Sequence, residues 1–361
     1  MIELRVACSP GEARIAACDG DTVLDHALWR PGLPDGFGDR HVVRVTHPVE
    51  AMGGAFVLLE DGATGFLTGS HRQDDLVAAI VTRSPQGGKG LRLKPLPPPL
   101  DDAAQSDGPR LLSRGATPLA SLAALHPDAP ILIDAPAFTA RVPPALRERV
   151  TRVPSAFDAA LASRVAALAD PRAELSGGVV ATIFPTPALV AIDLDNPAAA
   201  RTLRSTMLVG ANMAAIPALC REIRLRNLSG AILVDPAGVP PRKRRALLEP
   251  FRTAFAADPL TPQTLGTTAL GLIEIVRTRT RPPLHELLSS PHGIGLAALR
   301  SILASRPTRV ERPPVLKASI AVVTALEADR LALDEFATAW GAPLRLELAP
   351  DYPLSFWSHE P

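Results

Sequence analysis

From Ala188 to Asp195 the chain reads Ala-Leu-Val-Ala-Ile-Asp-Leu-Asp, so five apolar residues run straight into a carboxylate and a second carboxylate follows. A short apolar run bounded by turn signals reads as a core strand of a sheet covered on both faces. Ala231-Ile232-Leu233-Val234-Asp235 repeats the design, and Pro236 ends it just after the acid. Between the two runs, residues 206–226 carry apolar side chains at helical spacing, closed by Asn227-Leu228-Ser229-Gly230. Strand, helix, strand in that order predicts a βαβ unit with parallel strands. Two carboxylates at neighbouring strand ends form the smallest cradle for a hard divalent cation.

The rest of the chain adds a second kind of element. Residues 2–8 and 12–18 each alternate as half-buried strands do, with Ser9-Pro10-Gly11 as the turn, and residues 29–39 are a Gly/Pro-rich connector. Between His41 and Pro95, short strands separated by glycine turns predict a small barrel of OB type. A stiff, then polar linker follows over 95–110. Further predicted elements are a short helix over 118–125, a strand over 130–134, helices over 144–151 and 157–168, a strand over 179–184 pairing with the opening run, and a helix over 242–256. Residues 270–277 suit strand or helix, 307–314 a second linker, and 317–348 a β-α-β tail.

Bulk properties remove other classes. A chain of 361 residues has room for two or three cores, and 47% hydrophobic with 21% charged residues excludes a disordered protein. The apolar runs are strand-length, so no membrane span is expected, and the start lacks the regions of a signal peptide, which predicts a cytoplasmic protein. Cys8, Cys18 and Cys220 are unclustered and the histidines form no HxxxH, so no zinc is expected. A net charge of +1 means that nucleic acid would be bound by local basic patches.

At this level of detail the chain resembles the ribonuclease E/G endoribonucleases. Gly54-Ala55-Phe56-Val57 with Thr64-Gly65-Phe66-Leu67 is similar to that family's "AAFVD…GFL", and Gly88-Lys89-Gly90 to its lysine loop. Ala188–Asp195 resembles "ALVAIDVN", Asn212–Leu228 the helix ending "RLRNL", Ala231–Asp235 "IIVIDF", and Gly271–Glu274 with Arg277 and Arg279 "GLLEMSRQR". The resemblance implies a mixed α/β chain: an RNase H-like catalytic domain interrupted by an OB-fold RNA-binding domain, plus a small C-terminal β-α-β domain. The implied division is 1–38 as N-terminal strands of the RNase H-like domain and 39–95 as the OB domain. Residues 96–130 follow as linker and reduced sensor region, 131–288 as the catalytic domain, 289–315 as a linker in place of the zinc link, and 316–361 as the small domain. The family's 5′-end sensor has no convincing equivalent here. Asp195 stands at a family Asn, and Gly238 at a further family Asp.

The implied activity is Mg²⁺-dependent cleavage of single-stranded RNA, leaving a 5′-phosphate and a 3′-hydroxyl, with Mn²⁺ as an alternative ion. Asp193 and Asp235 are the expected catalytic metal ligands and Asp195 a third candidate; the plain alternative is that Asp commonly ends strands as a turn former. Phe56 and Phe66 are expected to stack on bases, against the alternative of barrel core. Lys89, with Arg92 and Lys94, is expected to track phosphates, against simple solvation. Arg224, Arg226, Arg277 and Arg279 are expected RNA contacts, against helix-end or surface pairing. A rival reading is a family member that binds RNA and has lost catalysis, and any homo-oligomer would form without a zinc link.

Overall fold

The computed structural model of the chain describes residues 1–97, 107–197, 205–306 and 313–360. The strands alternate as expected, and their inward residues gather into separate cores rather than one. Met1–Pro34, Thr117–Ala169 and Leu284–Pro361 form one unit, and Asp35–Ala116 with Asp170–Pro283 the other.

In the first unit, β1 (Ile2–Ser9), β2 (Glu12–Asp19) and β3 (Thr22–Trp29) make an antiparallel meander. β10 (Ile131–Ile133) runs parallel to β1, and β11 (Val150–Arg152) parallel to β10, giving the order β11-β10-β1-β2-β3. Leu4, Val6, Ile15, Ile131 and Ile133 point into a core closed by Leu119 and Leu122 of the helix Pro118–Leu125. The C-terminal part has its own core, in which Phe336 and Trp340 stack at 5.8 Å. Its sheet is β18 (Val315–Ala318) flanked by parallel β19 (Arg345–Leu348) and antiparallel β20 (Trp357–Glu360).

In the second unit, β4 (Arg40–Val49), β5 (Gly54–Leu58), β6 (Thr64–Thr68), β7 (Leu76–Arg83) and β8 (Leu91–Pro95) run in the order β5-β6-β8-β7-β4. Pairing of β5 back onto β4 closes them into the expected five-stranded, OB-like barrel. β9 (Arg110–Ser113) adds outside β4. The other sheet holds β12 (Arg172–Glu174), β13 (Val180–Pro185), β14 (Val190–Asp195), β15 (Gly230–Asp235), β16 (Gln263–Thr267) and β17 (Ile273–Arg277), in the order β12-β13-β14-β15-β17-β16. β14 and β15 are parallel, as the βαβ reading requires.

The crossover is the helix Ser205–Leu225, whose Ala215, Ile216, Leu219, Cys220 and Ile223 form the buried stripe. It keeps Pro217 in its interior, at the loss of one backbone hydrogen bond. It ends in a Schellman arrangement: the Leu228 amide donates to Ile223 O, the Asn227 amide donates to Arg224 O, and Asn227 takes the left-handed φ of 47°.

The structure departs from the expected division at two places. Residues 131–288 do not share one sheet: β10 joins β1 because Ile131 and Ile133 complete the core of Leu4 and Val6, whereas β14 and β15 close on the crossover helix. Residues 291–304, expected within a linker, form a helix capped by the Ser290 hydroxyl with Pro291 in its first turn. Its Gly295, which reads as a breaker, lets the helix lie against the Leu326 side chain. The expected linkers over 95–110 and 307–314 fall largely outside the described residues; residues 107–130 hold β9 and one short helix.

Asn212, fully buried, fastens the crossover helix to the turn after β15: its amide donates to Ala237 O at 3.0 Å and its carbonyl accepts from the Ala237 amide at 3.1 Å. Asn212→Leu leaves both backbone groups unpaired in the core and is expected to cost about 1–3 kcal/mol. Denaturant unfolding of the variant measures this; an unchanged midpoint would remove Asn212 as a structural tie.

Candidate metal centre and nucleic-acid interface

The parallel register of β14 on β15 sets Asp193 directly opposite Asp235. Adjacent strands lie about 4.8 Å apart, which brings two carboxylates to one edge of the sheet. Asp193 is exposed, and its carboxyl is pushed above the ordinary aspartate range by partial burial first, then by the charges of Asp235 and Asp195. Asp235 is held in place: its Oδ1 accepts from Arg244 Nη1 at 2.8 Å, and Arg244 also donates to Val239 O and Gly271 O. Asp195 closes β14, and its Oδ1 accepts from the Asn196 amide at 2.8 Å. Gly238 lies in the turn after β15 at a left-handed φ of 59°.

No group of three His, Cys, Asp or Glu able to hold a metal occurs among the described residues. The strands therefore assemble a pair of carboxylates, with Asp195 two positions along the same strand. That donor set is of the kind that suits a hard divalent cation, whose charge would offset the repulsion among the carboxylates.

On the barrel, Phe56 of β5 and Phe66 of β6 are register partners whose rings meet edge to face at 5.7 Å. Phe56 is 45% exposed, so this pair is a surface feature and not barrel core. Phe66 is in turn opposite Arg92 of β8, whose guanidinium sits 5.9 Å from the Phe66 ring centre. Lys89 follows a tight turn in which Gly87 and Gly88 both have positive φ, 59° and 70°; Gln86 and Lys89 close it by exchanging backbone hydrogen bonds. That turn leaves Lys89 exposed beside β8.

The basic residues of the crossover and β17 divide differently from the expectation. Arg226 is buried, paired with Glu222 at 2.9 Å and bonded to Asp170 O, so it fastens the helix and cannot meet RNA. Arg277 is 3% exposed and makes a two-pronged pair with Asp258, at 2.8 and 3.3 Å, plus a bond to Asn227 Oδ1. Arg224 donates to Ala257 O at 2.8 Å. Arg226 and Arg277 are structural ties because they are buried among their acceptors, and Arg224 is partly occupied by the Ala257 carbonyl. Arg279 alone of the four makes no hydrogen bond or ion pair among the described residues, and its guanidinium lies over Gly230. Sequence reasoning gave Arg244 and Arg83 no place in the site, because their partners lie elsewhere in the chain.

Residues 132–280 match the model of the Ribonuclease E/G family. Ribonuclease E of Nostoc sp. is 38% identical over 120 residues, covering 32% of this chain and 17% of that protein. Ribonuclease E of Synechocystis sp. is 31% identical over 158 residues (40% and 23%), and Ribonuclease G of Escherichia coli 32% identical over 131 residues (34% and 27%). Over residues 132–280 this chain is similar to the ribonuclease E/G family. It spans between 17% and 27% of the length of these relatives. The matched segment contains β14, the crossover and β15, so Asp193 and Asp235 lie within it.

Removing Arg277 leaves Asp258 buried and unpaired. Arg277→Ala is expected to cost about 3–5 kcal/mol in urea unfolding, whereas Arg279→Ala is expected to change stability by less than about 0.5 kcal/mol. Equal costs for the two would contradict the division made here.

Proposed function

We propose that the protein is an endoribonuclease of the ribonuclease E/G type, acting on single-stranded RNA with Mg²⁺ or Mn²⁺ held by Asp193 and Asp235. The observation that carries this reading is the register pairing of the two aspartates within the matched segment. A bound divalent ion supplies Lewis-acid stabilisation of the scissile phosphate and a water acidic enough to act as nucleophile. Asp193 and Asp235 orient that ion through their carboxylates, and Asp195 adds negative charge beside them. Arg244 fixes the direction of Asp235, as an outer group typically does for a metal-binding carboxylate. Phe56 and Phe66 offer ring faces on which bases stack without sequence preference, and Lys89 lies close enough in the chain to follow the backbone. The products in this reading carry a 5′-phosphate and a 3′-hydroxyl.

The carboxylate pair stands in the six-stranded sheet and not in β11-β10-β1-β2-β3, so the expected RNase H-like catalytic domain does not gather residues 1–38 and 131–288 into one sheet. We take the barrel as the inserted RNA-binding domain, and a place in RNA processing or decay in the cytoplasm as the setting. No helix among the described residues is long and apolar enough to cross a membrane. Zinc has no place in the reading, and any oligomer forms by other contacts.

A second reading, an RNA-binding family member without cleavage, draws on one observation: two carboxylates are assembled where a further acid is replaced by Gly238.

The test is cleavage of an unstructured A/U-rich RNA by the full chain. Mg²⁺-dependent turnover is expected, abolished by chelation and reduced at least a hundredfold by Asp193→Asn or Asp235→Asn, on the order of one lost electrostatic contact to the transition state. Turnover that survives either substitution sinks the assignment of the pair; RNA binding without turnover in the unaltered chain selects the second reading.

A further inference from the structure

One cluster of charges is not absorbed by the carboxylate pair. Arg83 closes β7 and is the register partner of Arg92 on β8. Just beyond it, the Ser84 amide donates to Thr280 O at 2.8 Å and Gln86 Nε2 donates to the same oxygen at 3.1 Å. That double tie joins the barrel to the segment after β17 and brings Arg279, the residue before Thr280, alongside Arg83. The Arg83 Nε is shielded from solvent and has no hydrogen-bond partner. Its guanidinium is destabilised by burial, then by the charges of Arg92 and Arg279. None of the three arginines is paired with a carboxylate in the described residues.

We infer that Arg83, Arg92 and Arg279 form a phosphate-binding cradle for the internal phosphodiesters of a single RNA strand whose bases stack on Phe56 and Phe66. The inference rests on the reading of the barrel as an RNA-binding face. Three observations support it. First, three like charges held together without an acid are relieved by an anion, and planar guanidinium forks match the paired oxygens of a phosphate. Second, the cluster continues the aromatic pair: His47, Phe56, Phe66, Arg92 and Arg83 are successive register partners across β4, β5, β6, β8 and β7. At about 4.8 Å per strand, base-stacking surface gives way to charge within one strand spacing. Third, the tie through Thr280 places Arg279 beside Gly230, at the start of the strand that ends in Asp235. A strand leaving the aromatic pair through the cradle thus meets the sheet that carries the carboxylates. Gly230 has a positive φ of 86° and no side chain, which leaves room for the Arg279 guanidinium.

The experiment measures binding of a short 3′-labelled oligouridylate to the full chain by fluorescence anisotropy, with chelator present so that cleavage does not intervene. Salt is varied from about 50 to 200 mM, and the RNA carries either a 5′-hydroxyl or a 5′-monophosphate. Each phosphate contact to single-stranded nucleic acid contributes about 0.7 to the slope of log affinity against log salt. Arg83→Gln and Arg279→Gln are each expected to flatten the slope by about that amount, equally for both RNAs. Phe56→Ala is expected to weaken binding about tenfold with its slope unchanged, and Arg252→Gln, an exposed residue paired with Glu249, to change neither. Unchanged slopes in both arginine variants, with Phe56→Ala still weakening binding, overturn the cradle and leave the barrel reading intact. A flattened slope confined to the 5′-monophosphate RNA also overturns it, in favour of a terminal-phosphate site. No binding by the unaltered chain overturns the barrel reading and the cradle together. If Arg83→Gln does not fold, Arg279→Gln, whose side chain is only partly buried, carries the test alone.

Discussion

The register of β14 against β15 is the constraint on which the candidate site depends. Because side chains alternate with a period of two, a slip of one residue would turn Asp193 away from Asp235 and bury it where Ile192 now packs. The register is therefore held by the core: Val190, Ile192, Ile232 and Val234 are all within 5% of full burial. Burying each such side chain is worth about 1.5–3 kcal/mol. Mutual repulsion of two partly exposed carboxylates is small beside the sum of those terms, so the sheet imposes the pairing that charge alone would refuse.

The ends of the crossover are secured by polar contacts that apolar packing does not supply. Two turns into the helix Asn212 grips Ala237, in the turn that follows Asp235. At its finish Asn227 takes the left-handed conformation, donates to the carbonyls of Arg281 and Pro282, and accepts from Arg277, itself paired with Asp258. One asparagine thus terminates the helix, aligns β17 and anchors the segment leading to Thr280. The run Arg224-Leu225-Arg226-Asn227-Leu228, which carries much of the family resemblance, is in this light a device for ending a helix and fixing a sheet edge.

Strand periodicity made the βαβ unit, the barrel and the parallel register legible, because each follows from residues close together in the chain. What was not legible turned on distant partners. β3 escaped notice because Asp25 and His26 interrupt its apolar pattern; Asp25 is buried and its charge is met by His126, 2.9 Å away and 101 residues on. The helix Pro291–Ala304 was hidden by Gly293 and Gly295, which look like breakers and are there because neighbouring groups crowd both positions. Arg226 and Arg277 read as free basic residues until Glu222, Asp170, Asp258 and Asn227 close around them. In a sequence, a surface arginine and a buried one look alike; only the acceptors tell them apart.

The same logic bears on Gly238 and Arg244. A carboxylate offers about four lone-pair directions, so the single bond from Arg244 leaves Asp235 with capacity for a cation. Arg244 reaches Asp235 while also donating to Val239 O and Gly271 O, which immobilises its guanidinium on backbone. Gly238, at positive φ, makes the turn that presents the Val239 carbonyl to it. An acid at that position would add charge to the pair; the glycine instead shapes the anchor of a cation that orients one member of it. A second carboxylate whose direction is fixed loses less freedom on binding an ion than one that is free to turn. An acid in place of Gly238 would add negative charge beside the pair, whereas Arg244 adds positive charge and fixes the direction of Asp235.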